Sequence, residues 1–534
     1  MASENQSASP ATSKGRIVGG RFIQKYREAQ EGDTEEEEKS TVTINEDLPL
    51  TYTESAFDKH GRPVTVLSFA PGDPENPFNW PRARRRFIAA LLCLMTLFIG
   101  FATTAYSSGI GNMCRDLHVS NELGQLGLFT FNFACAIAPL FLAPFCELAG
   151  RRIVYVGAYL CFVIMFIGLS LGKNIATILV CRALLGMFGS VGTILVGGTF
   201  SDMFLPDEMA RPMALFSFVA IFGTVGAPIY AGFIVETIGW RWMEAIQGLA
   251  SVPLLIVITF ALPETRGGVV LQKRAKVAAA ATGQDNFVCH MDLEAKGVKE
   301  LLHESSVKAI HMLVTEPVVF LFGFWIAFAW LVTFLFLSVI PITFEDKRGW
   351  SQGIGGLPYI SLCIGVTIGY CANFLQMRRW YQIKSAAKRD IVPEDRLYGA
   401  MFGAGFLPIG LFVYSFTQYS YITWVAPTVA LAPITIGIFF IFESCYSYTT
   451  DCYGEDHSGS ALAAQSALRN VLGAVSPLFA RQFFVNVGSQ YAGLILALVA
   501  TIMAPIPYLM FKWGSSLRRR SALAQYEGIP AEEK

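Results

Sequence analysis

Two charged residues stand where lipid would be expected: Arg182, inside the apolar run from Cys181 to Gly186, and Glu443, next to Phe442 in a second such run. A charge at membrane depth costs about 3 kcal/mol on insertion scales, so such residues face a bundle interior or a wet cavity and mark ion or substrate paths. A carboxyl shielded from bulk water can trade a proton, and a neighbouring guanidinium biases that trade. Arg182 and Glu443 are therefore the first candidates for coupling proton movement to something else. Plainer readings stay open: Arg182 bonding only backbone carbonyls, and Glu443 as a helix-end acid in water. Glu236, Glu244 and Glu147 read as nearer the surfaces. Glu147 belongs to a short set with Arg151 and Arg152 around a turn at Gly150. An acid and a basic pair so placed can lock helix ends by charge-assisted bonds that break when parts of the molecule rock.

A second kind of device needs no charge. Gly223, Gly226, Pro228 and Gly232 lie within ten residues of one another. Glycine at helical spacing permits close crossing and proline removes a backbone bond, so the segment suits a hinge or a tight seal. Other chemistries find no residues to carry them. The six histidines are dispersed, the eleven cysteines are single, and no Gly-rich loop with lysine is present, so neither a metal site, a catalytic set nor ATP use is expected.

The elements that must position these residues follow from composition. The 534 residues are 53% hydrophobic and 15% charged, whereas soluble domains carry about 25% charged residues. Lipid is the expected solvent. Lys plus Arg and Asp plus Glu both number 41, and the basic residues cluster between apolar runs, which excludes nucleic acid as a partner. Counting runs of about 20 apolar residues gives twelve candidate spans: 87–108, 123–145, 153–172, 175–200, 212–235 and 242–262, then 316–341, 353–376, 398–416, 422–443, 459–482 and 490–511. The fold class is an all-α membrane protein, two six-helix halves at 81–262 and 316–511 flanking a loop at 263–315.

Arg82 and Arg84 to Arg86, Arg151 and Arg152, Lys273 with Arg274 and Lys276, Arg378 and Arg379, and Arg518 to Arg520 alternate with loops poorer in basic residues. Basic residues near helix ends stay on the cytoplasmic side, so both termini are expected there. Residues 1–80 and 512–534 read as cytoplasmic tails, the first without fold because it is rich in Ser, Thr, Glu, Gly and Pro. Residues 293–313 are weakly amphipathic and suit a membrane surface.

Taken together, these elements resemble the major facilitator superfamily, and within it the fungal drug:proton antiporters of twelve helices. The likeness runs from Asn76, Pro77, Phe78, Asn79 and Trp80 to Pro505 and Pro507. Residues 393–398, 407–410, 451–454 and 460–464, with Arg469, Gly473 and Pro477, resemble the branch of polyamine and multidrug exporters. The resemblance implies two halves rocking about a midplane cavity, and it adds Arg469 to the coupling candidates. It implies a proton-driven export pump for drugs, toxins or secondary metabolites, needing no cofactor beyond the proton gradient and acting as a monomer in the plasma membrane. A vacuolar or other organellar membrane is the alternative site. Tyr106, Trp325, Trp330 and Phe442 are the expected cavity walls for a neutral or weakly acidic organic molecule. Proton-coupled uptake and a non-transporting membrane sensor are the rivals, the first kept by Gly226, Ala227 and Pro228 where antiporters carry Gly-Pro and a further Gly.

Overall fold

The structure, a computed structural model, describes residues 41–42, 51–57, 62–205, 208–283, 286–293, 298–387, 392–521 and 523–524. The first set of helices is α1 (Arg82–Leu117), α2 (Asn121–Ala149), α3 (Arg151–Leu171), α4 (Ile175–Gly189, continued by a π turn Val191–Leu195 and by Val196–Ser201), α5 (Ala210–Ile238) and α6 (Trp240–Ala261). Two helices follow in the connecting loop, α7 (Gly267–Thr282) and α8 (Val298–Thr315). The second set is α9 (Pro317–Pro341), α10 (Tyr359–Ala387), α11 (Pro393–Thr417), α12 (Val425–Gly454), α13 (455–486) and α14 (Ser489–Arg520). Gly454, at φ 58 and ψ −164, breaks the run between α12 and α13.

Ten of these twelve are by themselves long and apolar enough to cross a membrane. The other two have a local reason to fall short. α4 is a shorter apolar helix completed through its π turn, and α13 turns Gln465, Ser466, Arg469 and Asn470 inward, all of them buried. Lipid is the only solvent that suits the outer surface, where Phe260 is 83% and Ile502 78% exposed. With an even number of crossings, both described ends of the chain lie on one side, called here the tail side.

Two prolines inside the spans, and the π turn of α4, have their freed carbonyls answered by hydroxyls. Pro228 cannot donate to the carbonyl of Thr224, and that oxygen takes the Thr104 hydroxyl of α1 at 2.7 Å instead. Pro477 likewise frees the carbonyl of Gly473, which accepts the Ser476 hydroxyl at 3.0 Å. At the π turn of α4 the carbonyl of Gly192 accepts Thr96 at 2.5 Å.

Two expectations change. The tenth span was read as ending at 443, but α12 continues through Ser444, Ser447, Thr449 and Asp451 to Gly454, since inward polar residues extend a helix that hydropathy alone truncates. Glu443 is therefore about three turns inside the helix rather than at its end. Of the tail read as unfolded, the described part has structure: strands β1 (Thr41–Val42), β2 (Thr51–Phe57) and β3 (Pro63–Phe69) pair antiparallel, and β3 pairs parallel with β4 (Phe287–Cys289) of the loop. The guanidinium of Arg274 in α7 grips Asp73 at 2.5 Å and Glu75 at 2.6 Å, binding tail to loop. Composition missed this because the partner of β3 lies more than two hundred residues along the chain.

Candidate functional site

A cavity of about 440 Å3 lies at mid-depth between the two helix sets. α1 contributes Thr96, Gly100 and Thr103; α2 Phe131, Asn132 and Cys135; α4 Thr193; α5 Ala220 and Thr224; α9 Trp330; and α13 Arg469 and Asn470. Arg469 is 4% exposed, with its guanidinium 4.8 Å from the Trp330 ring and 5.2 Å from Phe442. Trp330 and Phe442 pack at 5.1 Å, so of the four expected wall residues Trp330 lines the cavity and Phe442 backs it. Trp325 is elsewhere, buried against Phe322 in the packing of α9. Tyr106 is also off the cavity, beneath Arg182.

Arg182 lies toward the far side, fully buried. It donates to the carbonyls of Gly127 at 3.2 Å, Ala102 at 2.7 Å and Thr103 at 3.0 Å, and rests on the rings of Tyr106 and Phe131 at 4.4 and 4.7 Å. One guanidinium thus ties α4 to α1 and α2. Its charge is felt by Glu244 of α6, read from sequence as near the surface but only 1% exposed, with no hydrogen-bond partner on either carboxyl oxygen among the described residues. The correction has a simple cause: closeness to a helix end in sequence says nothing about which face of the helix turns into the bundle. A signal was available, for Glu244, Gln247 and Ser251 form a polar stripe at helical spacing in an apolar helix, and all three are buried.

Glu443 lies toward the tail side, 5% exposed, and accepts from Ser447 at 3.1 Å and from Ser217 of α5 at 3.4 Å. That second bond crosses from one helix set to the other. Asn373, Gln376, Ser444 and Arg396 share a smaller cavity of about 330 Å3 with it. Nearby, Phe218 of α5 stacks on Tyr370 of α10 at 4.8 Å. On the far side the sets also touch: Glu236 accepts the backbone N–H of Gly353 at 2.7 Å, Gln352 donates to the carbonyl of Ser108, and Gln482 donates to Glu122 at 3.4 Å.

The Gly-Pro segment of α5 packs closely on both sides, against α1 at Gly223 and against the second set at Gly226, Pro228 and Gly232. A Cβ on Gly223 would meet the backbone of Leu97 at 3.0 Å, one on Gly226 would approach Cys363 at 3.5 Å, and one on Gly232 would meet the carbonyl of Gln352 at 2.7 Å; Pro228 lies against Gly356.

The sequence model of the Major Facilitator Superfamily matches residues 92–477. The chain belongs to that superfamily. This facilitator is 32% identical over 461 residues to the "MFS-type efflux pump MFS2" of Trichophyton rubrum, covering 86% of this chain and 77% of that protein. It is 31% identical over 494 residues to the "Citrinin biosynthesis cluster MFS transporter mrr1" of Monascus ruber, covering 91% and 98%. Its fold superposes on the xylose transporter XylE from E. coli with a TM-score of 0.58 at 15% identity, over 81% of this chain and 98% of that one. The protein is a multi-pass membrane transporter, not an enzyme.

Within the facilitator each half carries an ionic clamp at the tail side. Arg151 bonds Asp202 at 3.0 Å, joining the start of α3 to the end of α4, while Arg266 reaches the same acid at 3.3 Å. The Glu264 carboxylate receives the backbone N–H groups of Arg151 at 2.9 Å and Arg152 at 3.2 Å, a charged cap on α3. The side chain of Arg152 donates to the carbonyl of Thr259 at 3.0 Å. In the second half Arg396 at the start of α11 bonds Asp451 near the end of α12 at 2.7 Å, and Arg518 of α14 bonds Glu394. All these bonds lie within one half. The side chain of Glu147 falls outside the described residues. Asp202 escapes the sequence reading, being an unremarkable acid near a helix terminus, and Asp451 enters it only within the 451–454 motif, without a role as an ion partner.

Proposed function

We propose that this facilitator exports a small organic molecule from the cytoplasm in exchange for protons, by alternating access of the central cavity. The single observation that carries the reading is a cavity walled by both halves, with contacts between the halves on each side of it. Rocking about such a cavity opens one set of contacts while the other stays shut. Export as the direction is supported by the efflux function in the printed name of the Trichophyton relative and by the biosynthetic-cluster transporter of Monascus. Glu443 is the proton-carrying acid of the reading, because its carboxyl is removed from water and its bond to Ser217 forms or breaks with the halves. Arg182 holds the far side of the first half together while Glu244 beside it offers a second carboxyl. The proton gradient supplies the energy and no cofactor takes part. The tail side is cytoplasmic, on the distribution of Lys and Arg, and the protein works as a monomer in the plasma membrane.

The test is accumulation of labelled organic acids, drugs and secondary metabolites in cells lacking or overproducing the protein, with and without a protonophore. Lower accumulation on overproduction, abolished by the protonophore, is the expected result. Higher accumulation would reverse the direction, and no change across the panel would remove the transport reading.

A further inference from the structure

Arg469 is the sole charged group among the described residues lining the central cavity, and its charge is not matched. Among the described residues no carboxylate lies within ion-pairing distance; its Nη2 donates to the Ser466 hydroxyl at 3.2 Å, while its Nε, buried, has no hydrogen-bond partner. The indole Nε1–H of Trp330 at the same wall is also buried and without a partner. Trp330 and Phe442 flank the guanidinium, which fixes its plane. The remaining polar wall groups behave differently. Thr103 and Thr224 give their hydroxyl protons to carbonyls of their own helices, Thr96 gives its proton to the carbonyl of Gly192 in α4, and Asn470 donates to the carbonyl of Cys135 across the halves at 3.3 Å. The cavity thus holds one unbalanced positive charge and two spare N–H donors on one wall, facing hydroxyl oxygens that can still accept on the other.

A buried charge with no partner costs several kcal/mol, and the cost is recovered when a ligand supplies the opposite charge with hydrogen bonds. Building on the exporter reading, we propose that the transported molecule is an organic anion, a carboxylate on an aromatic body, seated with its carboxylate between Arg469 and the Trp330 N–H. The flat body lies along Phe131 and Trp330, and a hydroxyl or N–H at its other end meets the threonine oxygens. A polyamine or other cation is excluded from the same seat, since Arg469 repels it and no acid lines the wall among the described residues.

The experiment uses the purified full-length protein in lipid nanodiscs, titrated calorimetrically near neutral pH with three probes of one shape: 2-naphthoate, its methyl ester, and 2-naphthylmethylammonium. The naphthoate is expected to bind about 10- to 100-fold more tightly than the ester, the gain that hydrogen bonds to a charged partner bring. In Arg469→Gln that advantage disappears while ester affinity is kept, which shows the cavity still folded; in Trp330→Phe, which keeps a ring and loses the donor, part of the advantage goes. An acid no better than its ester in the native protein, or an advantage that survives Arg469→Gln, overturns the anionic seat and leaves the exporter reading standing. Binding of the ammonium in preference to the acid overturns it too. Absence of binding by all three overturns the seat together with the assignment of this cavity as the substrate chamber.

Discussion

Glu443 and Arg469 face different spaces in the second half: the acid lines the tail-side cavity and bonds Ser217, whereas the arginine lines the central one. Replacing Glu443 by Gln keeps the shape and most hydrogen bonding but removes the exchangeable proton. In proteoliposomes, Glu443→Gln is expected to lose acceleration by an imposed pH gradient, down to the rate of a no-gradient control, while substrate exchange without net proton flow continues. Equal loss of both would mean that Glu443 serves structure or substrate rather than protons. Gly150 makes a different point at the same scale. Its φ of 93 with ψ 156 belongs to glycine, and an added Cβ would run into the Glu264 carboxylate. Gly150→Ala should therefore cost about 1–3 kcal/mol and lower the thermal midpoint of the detergent-solubilised protein. The sequence marked Arg182 and Glu443 because charge inside an apolar run is conspicuous whatever it touches, whereas Arg469 entered only through the family resemblance. It could not say that Arg182 would be spent on three carbonyls and Arg469 left unmatched, since that depends on which helices meet.

At the scale of elements, the clamps of the two halves share one plan: an arginine opening the third helix of a half bonds an aspartate closing the fourth, as Arg151 with Asp202 and Arg396 with Asp451. Just past the last helix of the first half, Glu264 caps that start through backbone N–H groups, whereas in the second half Arg518 of the last helix makes an ion pair with Glu394 at the corresponding start. A double-mutant cycle on Arg396→Ala and Asp451→Ala, read as thermal unfolding, is expected to give a coupling of about 0.5–3 kcal/mol, with Asp451→Ala the smaller single effect because its side chain is the more exposed. Near-zero coupling would show the pair to be merely adjacent. Helix number and order were legible from hydropathy because lipid demands about 20 apolar residues per crossing. Helix ends were not, and α12 shows why: its last turns are polar and face inward. The strand pairing of β3 with β4 was hidden for another reason, being a contact between distant parts of the chain.

For the whole molecule, rocking requires the far-side contacts to part. Ser108 and Gln352 sit across that seam. In a background stripped of native cysteines, Ser108→Cys with Gln352→Cys, joined by a short bifunctional thiol reagent, should arrest transport, and a reducible version of the linker should restore it on reduction. Continued transport in the linked protein would mean that this seam does not open during the cycle. The tail also acquires a mechanical meaning. The segment from α7 to α8 is the one covalent rope between the halves, and its first stretch is fastened to the first half through β3, Asp73 and Glu75. Cutting away residues 62–75 would release some thirty residues of rope, on the order of 100 Å of contour if fully drawn out. The N-terminal strands thus set the length of slack, and so how far the two halves can stray, without touching the cavity at all.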